Sequence, residues 1–387
     1  MNKKILSTSI GAILAGTMSV AAMADTTLYG NVHISYDVVD VDDAGNRDNL
    51  NSNTSSIGVK GSEDLGNGLK AIFQAEFQFD PTEGSGLTGR DQWVGLGSGW
   101  GKLRVGTIST SYKSHGAMID PIYRTSAQNR TWGFQSALHR GKGEDGEGRA
   151  TNTIRYDSPS FFGGLGFIGT FTRQTDNGKD NKTDNPFSVG AHYKFGDSGL
   201  VFADYITNDQ DGDNSAWKVG GKWMIGNFGL YGQYEKDDGL IANRSLDSNV
   251  AGVLSTTNIA QVLGLSRAER AFLNDEVDEA IANGDVDSLD TYFLGASYSM
   301  GNWMFYGAYG HGDNIKVDGV RDFDLDTEYD SYELVAHYRF SKRTDMYGGW
   351  VLVDYNNDVK FRDPDTGRVD EGSLETNVFT LGVRHKF

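Results

Sequence analysis

The sequence predicts an all-β protein: a sixteen-stranded antiparallel transmembrane β-barrel with an inward-folded third external loop. Three observations carry that expectation. Segments of apolar/polar alternation, the signature of a strand, recur from residue 26 to the last residue. The connections between them alternate, long after odd-numbered strands and short after even-numbered ones, so both termini fall at the short-turn rim. One face of the segments is apolar, and the other carries Lys, Arg, Glu and Gln. A barrel closed on itself has no open edge, turns its apolar side to lipid and keeps its tight turns at one rim. A soluble sandwich buries its apolar faces instead and gives no reason for such regular loop lengths.

Composition agrees. The chain has 51 Gly, 18 Tyr, 20 Phe, 7 Trp, 5 Pro and no Cys. Its Gly content is nearly twice the usual level of about 7%, which together with many aromatics suits closely spaced, twisted strands. The mean hydropathy of −0.46 is too polar for a helical membrane protein. Beyond residue 25 no apolar run reaches the roughly 20 residues that a membrane helix needs. Without cysteine there is no disulfide framework, so backbone pairing and packing must hold the fold.

The N-terminus reads as a secretory signal peptide, residues 1–24. Lys3 and Lys4 form the positive region, Ile5 to Ala21 the apolar region and Ala22-Met23-Ala24 the cleavage site. The domain expected to remain is 25–387. Without Lys3 and Lys4 it has 33 basic against 53 acidic residues, a formal charge of −20. That argues against nucleic acid, which wants a basic patch.

Taken in order, Leu28, Gly30, Val32, Ile34 and Tyr36 share one face of the first strand. A polar linker, 41–54, is expected next. Ser55 to Gly61 and Leu69 to Phe79 follow, then Asp91 to Gly97 and Gly101 to Ile108 around a tight turn at Ser98-Gly99-Trp100. After a long stretch come Ala150 to Asp157, Gly164 to Gln174, Pro186 to Phe195 and Leu200 to Thr207. Ser215 to Ile225 and Phe228 to Lys236 are divided only by Gly226-Asn227, a hairpin signal. Leu289 to Met300 and Trp303 to Gly310 flank Gly301-Asn302, and Asp330 to Phe340 and Thr344 to Tyr355 follow. A loop at 356–373 and a last strand, Leu374 to Phe387, complete the chain.

Two connections stand out. Residues 109–149 run for about forty residues without sustained alternation, a length that compact domains keep for a functional loop. The expectation is that this stretch folds into the space the strands enclose and narrows it. Residues 237–288 are expected to form a long external loop with a helix: Ser266 to Glu269 is a capping-box pattern, and Leu265, Phe272, Leu273, Val277 and Ile281 can share one stripe. It reads as a helical cap, or as a lid over the mouth. Acidic residues crowd other long loops, with seven between Asp313 and Asp330 against Lys316 and Arg321. They form a solvated face or a place for divalent cations bridging lipopolysaccharide. Residues 209–220 are not a calcium loop, since Asn214 and Gly220 stand where Gly and Glu are needed.

The segments SIGVKGSEDLGNGL (56–69), WVGL (93–96), GKLRVG (101–106) and NTIRYDSP (152–159), with the terminal Phe387, resemble the general porins of Gram-negative outer membranes. The resemblance covers the whole of 25–387, within which 237–288 is longer than the family leads one to expect. It implies an outer-membrane homotrimer, in contact with lipid and lipopolysaccharide, that lets ions and small hydrophilic solutes diffuse passively. It also implies that Phe387 ends a signal read by the barrel-assembly machinery. No cofactor and no metal site are expected.

A pore needs a field and a size limit rather than catalysis. By alternation Lys60, Lys70, Lys102, Arg104 and Arg155 face inward, because Ile57, Val59, Leu103, Val105, Ile154 and Tyr156 face out. The resemblance implies that such a basic wall opposes the third loop. Arg104 and Arg155 lead the candidates, and Asp120 is the leading acidic counterpart. Arg124, Arg130 and Arg140 make the loop itself more basic than acidic. Each of these residues can equally serve as a structural ion pair within the lumen. Tyr112, Tyr123, Trp132 and Phe134 support an alternative, a solute-specific porin for sugars or organic anions. The remaining alternatives are an outer-membrane hydrolase, for which Ser114, His115 and Asp120 are the nearest set, and an adhesin.

Overall fold

The computed structural model describes residues 25–41, 45–84, 86–136, 142–143, 148–173, 185–207, 215–238, 240, 289–313, 328–362 and 369–387. The expected leader, the helix expected within 237–288, most of 209–220 and the acidic stretch 314–327 lie outside them. The strands begin with β1 Asp25–Val41, β2 Gly45–Ser52, β3 Ser56–Gly66, β4 Leu69–Gln78, β5 Thr88–Ser98, β6 Gly101–Ser109 and β7 Lys142–Gly143. Next are β8 Arg149–Asp157, β9 Leu165–Thr172, β10 Phe187–Lys194, β11 Gly199–Thr207, β12 Ser215–Ile225 and β13 Phe228–Asp238. The last are β14 Leu289–Met300, β15 Trp303–Gly312, β16 Tyr329–Arg339, β17 Thr344–Arg362 and β18 Val369–Lys386. A helix, α1 Ser111–Met118, follows β6.

Neighbouring barrel strands pair antiparallel, and β1 pairs with β18 from Asn31↔Lys386 to Val41↔Thr376, so the sheet closes. β2 and β3 pair in succession along the same strand, β1, and together make one barrel strand. β7 is two residues long and runs parallel to β8, outside the ring. The closed barrel therefore has sixteen strands. No helix among the described residues is long and apolar enough to cross a membrane.

The alternation in sequence becomes the two faces of the wall. On β1, Leu28 and Val32 are exposed outward while Asn31, His33, Ser35 and Asp37 are buried on the inner side. Outward aromatics recur six residues apart on five adjacent strands: Trp217 and Trp223, Phe228 and Tyr234, Tyr292 and Tyr298, Trp303 and Tyr309, Tyr332 and Tyr338. Six residues span about 20 Å of strand, the scale of a barrel's apolar band with its two aromatic girdles. Rings on neighbouring strands meet within the girdles, with Phe228 and Tyr298 at 4.7 Å and Trp303 and Tyr338 at 4.7 Å. Gly226 and Gly301 have φ of 59° and 61°, while neither following Asn has positive φ. That is the pattern of a two-residue type II′ hairpin with Gly first.

Three expectations need correction. The polar linker at 41–54 is largely strand, because β2 pairs with β1 as far as Val41↔Gly45. The loop at 356–373 is likewise shortened from both sides, because β17 and β18 stay paired to Arg362↔Val369 after a register shift at Tyr355/Asp358. Both stretches are rich in Asn, Asp, Gly and Ser, the residues of turns, and so read as loop. The inner wall is also not uniformly polar. Leu200, Phe202, Tyr231, Phe293, Tyr306, Val335 and Val351 form a buried cluster with Ile119, Ile122, Ala127 and Phe134.

Candidate functional site

Residues 110–136 are hydrogen-bonded to residues of several far-separated strands. Thr110 caps α1 by accepting from the Lys113 backbone N–H at 3.2 Å. Ser111 meets Ser188 of β10 at 3.0 Å, and Lys218 of β12 donates to the Tyr112 carbonyl at 2.6 Å. His115 Nδ1 lies 2.9 Å from an Asp204 oxygen on β11, and its Nε2 lies 2.9 Å from His192 Nδ1 on β10. Farther along, Ser126 meets Thr380 of β18 at 2.5 Å, and Asn129 donates to the Tyr306 hydroxyl of β15 at 3.2 Å. On β16, Tyr329 donates to the Gly133 carbonyl at 2.9 Å and Ser331 to that of Trp132 at 2.8 Å.

A basic cluster forms beside this segment. The pairing of β4 with β5 shifts between Ala75 and Phe77, and there Arg90 and Asp91 both find partners among inner-face side chains. Arg90 Nε donates to Glu76 Oε1 at 2.5 Å, and Arg124 reaches the same oxygen at 3.5 Å. Tyr29 donates to the other Glu76 oxygen at 2.9 Å. Arg149 Nε donates to Asp91 at 2.9 Å. Arg130 Nε donates to Gln128 at 2.9 Å, and its guanidinium lies 4.7 Å from the Tyr123 ring. Lys113 is buried beside them, and burial with the flanking Arg149 and Arg130 holds its amine well below the usual range. Among the described residues, four guanidiniums thus stand against the carboxylates of Glu76 and Asp91, an excess of positive charge.

The leading candidates from sequence sit elsewhere. Arg104 and Arg155 both pair with Asp157, the latter at 2.7 Å. Arg155 Nη1 also donates to the Ser109 carbonyl at 2.5 Å and to Ser114 Oγ at 2.7 Å, tying down the start of residues 110–136. Arg104 lies over the Trp93 ring at 4.9 Å. Lys60 lies 5.0 Å from the Tyr29 ring. Lys70 and Lys102 are exposed, opposite Gly97 near the short turns.

Asp120 is turned into its own segment, where it accepts the backbone N–H of Ile122 at 3.0 Å and of Asn129 at 3.2 Å. Burial pushes its carboxyl up to about 7. Ser114, His115 and Asp120 do not assemble as a set, since each has separate partners. Tyr112 and Phe134 are fully buried, and Trp132 donates its indole N–H to the Ser126 carbonyl at 2.6 Å. Phe387 exchanges two backbone hydrogen bonds of 3.1 Å with Gly30, at the seam where the barrel closes. Arg140 lies outside the described residues. Sequence reasoning missed Glu76, Arg90, Asp91, Lys113 and Arg149. The irregular pairing beside Glu76 defeats simple alternation, and Arg149 stands at the end of the non-alternating stretch.

A closed sixteen-stranded barrel with an apolar belt and a charged interior defines a membrane-spanning channel. The family model for Gram-negative porins matches residues 11–358, and the chain belongs to that family. It is similar to the major outer membrane protein P.IB of Neisseria sicca, 27% identical over 398 residues, covering 98% of this chain and 99% of that protein. The P.IB protein of Neisseria meningitidis serogroup B / serotype 15 (strain H44/76) is 29% identical over 395 residues, with 98% and 99% covered. Among solved structures, the anion-selective porin from Comamonas acidovorans superposes with a TM-score of 0.66 at 20% identity, covering 94% of this chain and all of that one. OmpT of Vibrio cholerae, in its trimer form, gives 0.60 at 14% identity, with 94% and 99% covered. At such identities the likeness to the solved structures is one of fold. The chain is an outer-membrane porin, a channel for passive diffusion.

Proposed function

We propose that residues 110–136 fold into the lumen as the constriction loop, and that the pore there prefers anions. The excess of guanidinium groups over carboxylates at Arg90, Arg124, Arg130, Arg149, Glu76 and Asp91 carries this reading. A fixed positive field at a narrow point concentrates anions and repels cations. Hydrogen bonds from the segment to the inner faces of β10, β12, β15, β16 and β18 support its inward course. The chain as a whole is acidic, so the preference is expected to be modest and to fall with salt. The specific-porin reading is weaker, because Tyr112 and Phe134 pack against the wall rather than offering faces to a solute.

The trimer form of the Vibrio cholerae protein supports a homotrimer here as well. The backbone pairing of Phe387 with Gly30 suits a terminal residue that reports barrel closure to the assembly machinery. The absence of cysteine allows a direct test of the constriction. Arg124→Cys, treated in a planar bilayer with an anionic thiol reagent, is expected to lose conductance in steps while wild type is unaffected. Unchanged conductance after complete modification would place the segment away from the ion path.

A further inference from the structure

Tyr123 sits inside the basic cluster. Its ring lies 4.7 Å from the Arg130 guanidinium and 5.9 Å from that of Arg124. Arg130 Nη1 donates to the phenol oxygen at 3.4 Å. Gln128 steadies the arrangement: its Oε1 accepts from Arg130 Nε at 2.9 Å and from the Arg124 backbone N–H at 3.0 Å. Arg124 has φ of 70°, a left-handed conformation uncommon outside Gly. Such conformations cluster at functional sites. Here it accompanies an Arg124 side chain that reaches Glu76 while staying beside the Tyr123 ring.

The surroundings are charged from several elements. Arg90 comes from β5 and Arg149 from β8, with Lys113 of α1 nearby. The acidic groups are Glu76 of β4, shared by Arg90, Arg124 and Tyr29, and Asp91 of β5, held by Arg149. Guanidiniums keep their charge at any working pH, and a positive field favours a phenolate. Burial pushes the Tyr123 phenol up, but Arg130, Arg124, Arg90 and Arg149 together pull it below its ordinary value. Tyr112, on the same segment, goes the other way: burial and the carboxylates of Glu235, Asp237 and Asp204 push it well up.

We propose that Tyr123 is a selectivity-determining residue of the constriction: among four guanidiniums its phenol releases a proton to lumen water, and the phenolate cancels part of the excess positive charge. The porin then loses anion preference as the medium turns alkaline. This rests on the reading of the cluster as the constriction. Tyr123→Phe keeps the ring and its contacts with both arginines and removes only the ionisable oxygen, so a merely spacing role would leave it silent.

The test is the zero-current potential of the intact porin in a potassium chloride gradient, from about pH 7 to about pH 10, the ordinary phenol value. A parallel readout is the ultraviolet difference spectrum of tyrosinate, wild type minus Tyr123→Phe. The expected result is a loss of anion preference in wild type over that range, a clearly smaller loss in Tyr123→Phe, where only lysines still titrate, and one phenol titrating below the ordinary value in the difference spectrum. Identical profiles in the two proteins, or a Tyr123 phenol that titrates at or above the ordinary value, overturn the role of Tyr123 alone. Absence of anion preference at about pH 7 in wild type overturns the constriction reading, and this proposal with it.

Discussion

Arg155 joins the wall to the start of residues 110–136, with Asp157 on one side and the Ser109 carbonyl and Ser114 hydroxyl on the other. Truncation leaves Asp157 with Arg104 alone and strands those acceptors, so Arg155→Ala is expected to lose about 3 kcal/mol. Chemical denaturation followed by tryptophan fluorescence reads this, and an unchanged midpoint would contradict the anchoring role. Asp120 gives a pH dependence. Its folded value of about 7 is raised by burial above the unfolded one. Its contribution is therefore complete below the unfolded value of about 3.9 and is lost as pH rises through about 7, at no more than about 1.4 kcal/mol per pH unit. Asp120→Asn is expected to flatten that part of the stability profile. Equal slopes in variant and wild type would show that the carboxyl is not held neutral.

At the scale of elements, α1 is fitted to β10 and β11 by space as much as by bonds. A Cβ at Gly190 would collide with the Asp204 carboxylate and press on His115 Nδ1 at 2.9 Å. Gly190→Ala is therefore expected to cost about 1–3 kcal/mol and to shift the single-channel conductance. A variant with wild-type stability and conductance would show that α1 tolerates displacement. Little of this fit was legible in the sequence. Alternation assigns Lys60, Arg104 and Arg155 to the inner face, because a regular strand fixes the direction of every side chain. It does not say which groups far apart in sequence meet, so Lys218 on Tyr112 and His115 on Asp204 were invisible. It also fails where pairing is irregular, which is why Arg90 was missed.

The whole molecule was the most legible level. Strand count, loop alternation and the outward apolar face depend on period and punctuation, both local properties. The six-residue spacing of girdle aromatics from Trp217 to Tyr338 was equally present, and it marks the membrane-facing band directly. The field in the pore is a sum over residues far apart in sequence, and it emerges only once the barrel closes. The zero-current potential across a planar bilayer in a salt gradient tests that field most directly. Wild type is expected to prefer anions, and the Arg124→Ala/Arg130→Ala double variant to lose about half of the preference, since it removes two of the four guanidiniums that set the local field. Cation preference in wild type, or an unchanged potential in the double variant, would contradict the assignment of the constriction to this cluster.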